Sequence, residues 1–202
     1  MRKNLSSLPL LTLILVVVTA CVRATAVPPP ATPTGDSPSQ EQATATGFTL
    51  TSPGLLDPQG ARESRLPAEY TCDGSRSTLE LEWSGAPSGV QSYAIIMHHI
   101  PGPNEVKWYW IVYNISPGIT SLPKNMTGIG TLGTNSVNDR QEYAPPCSKG
   151  PGDKVYIYTV YALSAQPQFS VPAQQVTRAV LLDAIKNITL ASAELRVVYA
   201  RP

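Results

Sequence analysis

Residues 155–163 read Val-Tyr-Ile-Tyr-Thr-Val-Tyr-Ala-Leu. On an extended chain Val155, Ile157 and Tyr161 alternate with Tyr156, Tyr158 and Val160, so both faces are apolar. A run of this kind predicts a central strand covered on both sides. The chain around it also reads as strands. Leu79-Glu80-Leu81-Glu82-Trp83 alternates apolar and charged residues, as a half-buried strand does. Ser92 to His98 and Trp108 to Ile115 are aromatic and β-branched runs. Between them, Ile100-Pro101-Gly102-Pro103-Asn104 is expected to break any ladder. One helix is predicted, from Val180, Leu181, Ala184, Ile185 and Ile188 at helical spacing, with Thr177 as its cap and Asp183 and Lys186 toward water. Leu190 to Tyr199 is expected to form a last strand. The fold class is therefore mainly β: a β-sandwich with few helices, one near the C-terminus. Twenty prolines and fourteen glycines, many between strands, suit that architecture.

The N-terminus has a different character. Arg2 and Lys3 precede an apolar run from Leu10 to Val18, of signal-peptide length and short for a membrane span. The run ends in Val18-Thr19-Ala20-Cys21, which looks like a bacterial lipobox whose cysteine is lipidated. An ordinary secretory signal and a short membrane anchor are the other readings. Residues 1–20 are thus expected to be a lipoprotein signal peptide. Residues 21–46, rich in Pro, Thr, Ala and Gln, lack the apolar side chains to offset ordering entropy and read as a disordered tether. Residues 47–202 remain as one domain. The expected location is extracytoplasmic, lipid-anchored to a bacterial membrane. Val22 stands where an aspartate is often linked to inner-membrane retention, a mild preference for the outer membrane.

Loss of residues 1–20 removes Arg2 and Lys3 and moves the formal net charge from +1 to −1. A near-neutral chain gives no electrostatic case for nucleic acid. With Cys21 assigned to lipid, Cys72 and Cys147 remain. In an oxidising compartment they suggest a disulfide, two separate thiols being the alternative. His98 and His99 are adjacent, so on a strand they face opposite sides and are a poor pair for one metal. His99 with Cys72 and Cys147 would make a soft-metal set only if the thiols were free. No metal or cofactor is therefore expected.

Several segments together resemble one family. Leu66-Pro67-Ala68-Glu69-Tyr70-Thr71-Cys72-Asp73-Gly74 is similar to the P-x-x-Y-T-C-D-G segment of the bacterial, Raf-kinase-inhibitor-like branch of the phosphatidylethanolamine-binding proteins. Leu81-Glu82-Trp83-Ser84-Gly85-Ala86-Pro87 resembles its L-x-W-S-G-x-P, and Trp110-Ile111-Val112-Tyr113-Asn114-Ile115 its W-V-x-Y-N-I. Pro146-Cys147 matches the core of G-P-C-P-P, and Thr159-Val160-Tyr161-Ala162-Leu163 matches T-V-Y-A-L. Order and spacing hold across the folded part. The resemblance implies two packed antiparallel sheets with a small anion pocket at one end, which in relatives takes phosphate-like groups, with lipid head groups a further candidate.

The departures fall in that pocket. The family's D-P-D-A-P aligns with His99-Ile100-Pro101-Gly102-Pro103, so both acids are replaced. One pocket histidine aligns with Tyr109, a second near Lys154. Ser148 and Lys149 stand where the family has two prolines. What carries over is a location, with His99, Tyr109, Pro146, Cys147 and Lys154 as candidate ligand-binding residues beside Cys72. Tyr109 and Lys154 could donate to an anion, or Tyr109 could pack in the sandwich while Lys154 is solvated. Trp83, Trp108 and Trp110 read as core. No nucleophile, base and orienting group come together, so an enzyme is not expected. The leading expectation is a membrane-anchored binding protein for a small polar or anionic ligand, a phosphate-like molecule or lipid head group. The alternative is a protein-interaction or inhibitory module for a protease- or kinase-type partner, its small-molecule pocket lost. A homodimer is compatible with the resemblance.

Overall fold

The structure, a computed structural model, describes residues 47–55, 65–147 and 149–201. The expected signal, Cys21 and the tether lie outside the described residues. Among the described residues, eight strands and one α-helix follow in order: β1 (Thr49–Thr51), β2 (Leu81–Ser84), β3 (Ser92–Gly102), β4 (Glu105–Ile115), β5 (Ser121–Leu122), β6 (Thr131–Leu132), β7 (Lys154–Leu163), α1 (Arg178–Ile185) and β8 (Thr189–Tyr199). The strands form two antiparallel sheets, β1-β2-β5 and β6-β4-β3-β7-β8. This is the expected sandwich, with its helix late in the chain.

The two-faced run of β7 explains the layering. Tyr156, Tyr158, Val160 and Ala162 face inward and join the core with Leu50, Leu81, Trp83 and Leu122 of the smaller sheet. Tyr161 and Leu163 face outward, onto a second cluster with Ala94, Ile96, Leu181 and Ile185. Helix α1 therefore lies on the outer face of the larger sheet. Thr177 caps it as expected, its hydroxyl accepting from Val180 N at 3.4 Å. Asp183 and Lys186 pair in solvent at 2.6 Å. Ile188, expected on the helix, lies beyond its end. Trp83 and Trp110 are core. Trp108 is half-buried, its indole N–H donating to Thr134 O at 2.8 Å.

Two further sequence expectations change. Leu79 and Glu80 precede β2 rather than belonging to it, although Leu79 is fully buried. Ile100-Pro101-Gly102 does not end the ladder: β3 runs on to Gly102, which pairs with Glu105. Pro101 is tolerated because β7 pairs with β3 only as far as His99, and the register toward β4 shifts between His99 and Gly102. Its missing N–H is therefore required by neither neighbour.

Candidate functional site

Side-chain alternation along β3 separates the two histidines. Met97 and His99 pair with the inward residues Tyr158 and Tyr156, while His98 pairs with Ile157 on the outer face. The register between β3 and β4 shifts at this point: Met97 opposes Trp110 but His98 opposes Trp108. Tyr109 is the extra residue of that β-bulge. A bulge puts two neighbouring side chains on one face, and both Tyr109 and Trp110 enter the inner core. His99, Tyr156 and Tyr109 then form an aromatic row, with centroids 5.2 and 5.3 Å apart.

The loop carrying Pro146 and Cys147 is fastened to this row. Ala144 N donates to Tyr109 O at 2.8 Å, and Cys72 N donates to Pro146 O at 3.0 Å. Cys72 and Cys147 are joined by a disulfide, Cα atoms 5.3 Å apart. Both sulfurs are thereby taken from the soft-metal set that His99 would complete. The five expected ligand residues thus converge on one end of the sandwich, but their polar groups are engaged in ways the sequence did not indicate. His99 Nδ1 donates to Val155 O at 2.7 Å. A carbonyl can only accept, so Nδ1 carries a proton in this bond. The Lys154 ammonium donates to Pro151 O at 2.9 Å and Gly152 O at 3.3 Å. It shapes the loop rather than standing open to a ligand. Tyr109 is buried in the sandwich.

The groups that line open space here are others. A cleft of about 430 Å³ is bounded by Asp73, Lys149, Gly150, Pro151 and Arg201. Asp73 belongs to the turn of the T-C-D-G segment, in which Thr71 Oγ1 accepts from Asp73 N at 3.2 Å. Gly74 closes that turn, because a Cβ there would collide with the Ala68 carbonyl. Tyr199 ends β8 opposite Lys154, and its hydroxyl donates to Asp73 Oδ2 at 2.6 Å. Arg201 grips the same carboxylate with two nitrogens at 2.8–3.0 Å. Arg201 and then Tyr199 hold the Asp73 carboxyl below the usual carboxylate range. Burial and the Asp73 charge push the Tyr199 phenol up. Lys149 makes no ion pair among the described residues. Asp73, Lys149, Tyr199 and Arg201 were missed as site residues. The available signals were Asp73-Gly74 inside a recognised motif, and Arg201 two places after Tyr199.

Beneath the aromatic row the interior is phenolic. Tyr158 is fully buried, and desolvation raises its hydroxyl well above the ordinary tyrosine range. Tyr143 donates to Tyr70 O at 2.8 Å. This end of the sandwich thus carries a mixed-charge cleft next in sequence to the disulfide and, separately, the buried aromatic row of His99, Tyr156 and Tyr109.

A family model described as phosphatidylethanolamine-binding protein matches residues 57–200. A UPF0098 protein of Chlamydia pneumoniae is 32% identical over 155 residues, 73% of this chain and 98% of that protein. A UPF0098 protein of Methanothermobacter thermautotrophicus is 30% identical over 142 residues, 68% and 91% of the two chains. Among solved structures, a phosphatidylethanolamine-binding protein homolog from Chlamydia trachomatis superposes with a TM-score of 0.67 at 25% identity, covering 77% of this chain and 99% of the other. YbcL of Escherichia coli matches in fold with a TM-score of 0.65 at 23% identity, covering 77% and 99%.

Proposed function

Because the chain belongs to the phosphatidylethanolamine-binding protein family, we propose that it is an extracytoplasmic binding protein, tethered by lipid on Cys21, that holds a small anionic or polar ligand at the disulfide-braced end. It acts by recognition, with no bond-making step. The observation that carries this reading is the cleft edged by Lys149, Arg201 and Asp73, next in sequence to the two disulfide cysteines. Two cations favour an anion, and Asp73 offsets only one of them. The Asp73 carboxylate at the same rim favours a ligand that also brings a proton donor. A phosphomonoester, free or as an aminoalkyl phosphate head group, has both features. Lys154 serves by holding the carbonyl of Pro151, in the cleft wall, and that of Gly152 next to it.

The disulfide supports export, since such bonds persist in oxidising compartments. The leader and Cys21 support the tether. Replacing Cys21 with Ser is expected to move the protein from the membrane to the soluble fraction; retention on the membrane would remove the tether.

Calorimetric titration with inorganic phosphate and with phosphoethanolamine tests the site. Lys149→Gln is expected to weaken binding roughly tenfold, the scale of one charge-assisted hydrogen bond. Unchanged affinity in that variant would move the ligand elsewhere. The engagement of His99 and Lys154 by backbone carbonyls favours a second reading, a protein-interaction or inhibitory module. No heat with either phosphate probe would favour it.

A further inference from the structure

The last ladder pair of β8 is Tyr199 with Lys154, and Arg201 lies two residues beyond it. Among the described residues one carboxylate holds Arg201, that of Asp73. Arg201 Nε lies 3.0 and 2.9 Å from the two Asp73 oxygens, and Nη2 lies 2.8 Å from Oδ1. The guanidinium thus commits one edge of its donor fork to a carboxylate. A phosphate fits the same edge. Both partners line the cleft of about 430 Å³ together with Lys149. Neither is deeply buried: the Arg201 and Asp73 side chains are 36% and 21% exposed. The pair therefore has the form of an anion site already filled, with Asp73 as the anion that the chain itself supplies.

Exchange of that partner is physically accessible. An ion pair open to water contributes little net stability, because the solvent screens both charges. Among the described residues no backbone pairing has to break for Arg201 to turn. Asp73 is not stranded when Arg201 leaves: the Tyr199 hydroxyl donates to its Oδ2 at 2.6 Å, and Thr71 Oγ1 still anchors its backbone N–H. Asp153, the carboxylate two places after Pro151 of the cleft wall, is engaged by Arg65 at 3.2 Å. Asp73 is thus the carboxylate that competes with an incoming anion for Arg201.

We propose that Asp73 is an autoinhibitory latch on this cleft: its carboxylate occupies the Arg201 fork, and an anionic ligand gains Arg201 only by taking it from Asp73. The inference rests on the reading of the cleft as an anion site. Binding then has two parts, attraction of the anion by Lys149 and a change of partner by Arg201. With the fork held by Asp73 in about nine molecules of ten, the apparent affinity is about tenfold below that of the open site.

Calorimetric titration of the full-length protein with inorganic phosphate, near neutral pH, tests the latch. Asp73→Asn is expected to bind phosphate roughly tenfold more tightly than wild type. In an Arg201→Gln background the same Asp73→Asn change is expected to alter affinity by less than about twofold, because the two residues act as one unit. Equal tightening with and without Arg201 would make Asp73 a merely repelling charge and overturn the latch. Unchanged or weaker binding in Asp73→Asn overturns it too. In wild type, the NMR signal of Arg201 Nε–H is expected to shift saturably as phosphate is added. A signal that stays in place while phosphate binds counts against the latch, even should Asp73→Asn fail to fold. Phosphate binding that requires Lys149 but ignores Asp73 removes the latch alone. No binding in wild type or in Asp73→Asn removes the anion reading of the cleft and the latch with it.

Discussion

Asp73 and His98 make opposite use of their surroundings, and each leaves a signature in acid. Arg201 and Tyr199 stabilise the ionised Asp73 carboxyl. Its contribution to stability is full above the ordinary aspartate range, about pH 4, and is lost as pH falls through the lowered folded value. Wild type is therefore expected to unfold at higher temperature than Asp73→Asn near neutrality. The gap should close as the buffer is taken well below pH 4. His98 is held neutral, its value pushed down to about 4, first by burial and then by Arg178. The unfolded chain takes up that proton from about pH 6.5 downward, so folding stability falls between there and the folded value. Between pH 7 and 4 this loss is on the order of 2–3 kcal/mol. Denaturant unfolding at a series of pH values should show it in wild type and show it much reduced in His98→Gln. Around pH 5 the two effects separate, because Asp73 is still ionised there. Neither shift was legible in the sequence. Both depend on which distant charges the sheets bring alongside, and Arg201 lies far along the chain from Asp73.

At the level of the element, periodicity was a sound guide wherever one face is buried. β7, β8 and α1 lie close to where alternation and helical spacing put them. Irregularities were harder to see. The bulge that turns Tyr109 inward is a one-residue register shift between two strands, and single-strand periodicity carries no register. A second shift lies between Tyr93 and Ile95, opposite Asn114. Asn114 takes φ +57°, a conformation asparagine tolerates better than most residues, which gives its motif position a backbone reason. Gly85 of W-S-G-A-P has one as well. Its φ is +71°, and a Cβ there would collide with the Gly47 carbonyl. Gly85→Ala is expected to destabilise by about 2 kcal/mol or more, read as a lower urea midpoint with an unchanged slope. Thr177→Ala, which removes a long cap bond, is expected to cost only about 0.5–1 kcal/mol.

For the whole molecule, the most consequential single bond is Cys72–Cys147, which spans 75 residues. Closing a loop of that length in the unfolded chain stabilises by roughly 4 kcal/mol in the chain-entropy model. Reduction, or Cys147→Ser, is expected to lower the unfolding free energy by about that much. It should also loosen the wall of the cleft, so phosphate binding would weaken alongside stability. A thermal melt with and without reductant checks the first effect, and titration of the reduced protein the second. Sequence alone determined the mainly β class, the covered strand β7, the late helix, the opposite facing of His98 and His99, and the family resemblance. All of these are local patterns of period two or 3.6, or short motifs, and local sterics and burial enforce them. The tertiary structure decided which polar groups are left to act. It committed His99 and Lys154 to backbone carbonyls, placed Asp73, Lys149 and Arg201 around the cleft, and left His98 Nδ1 buried without a hydrogen-bond partner. Hydrogen-bond partnership is a contest among groups distant in the chain, and only the folded packing settles which atoms lie within about 3 Å of one another.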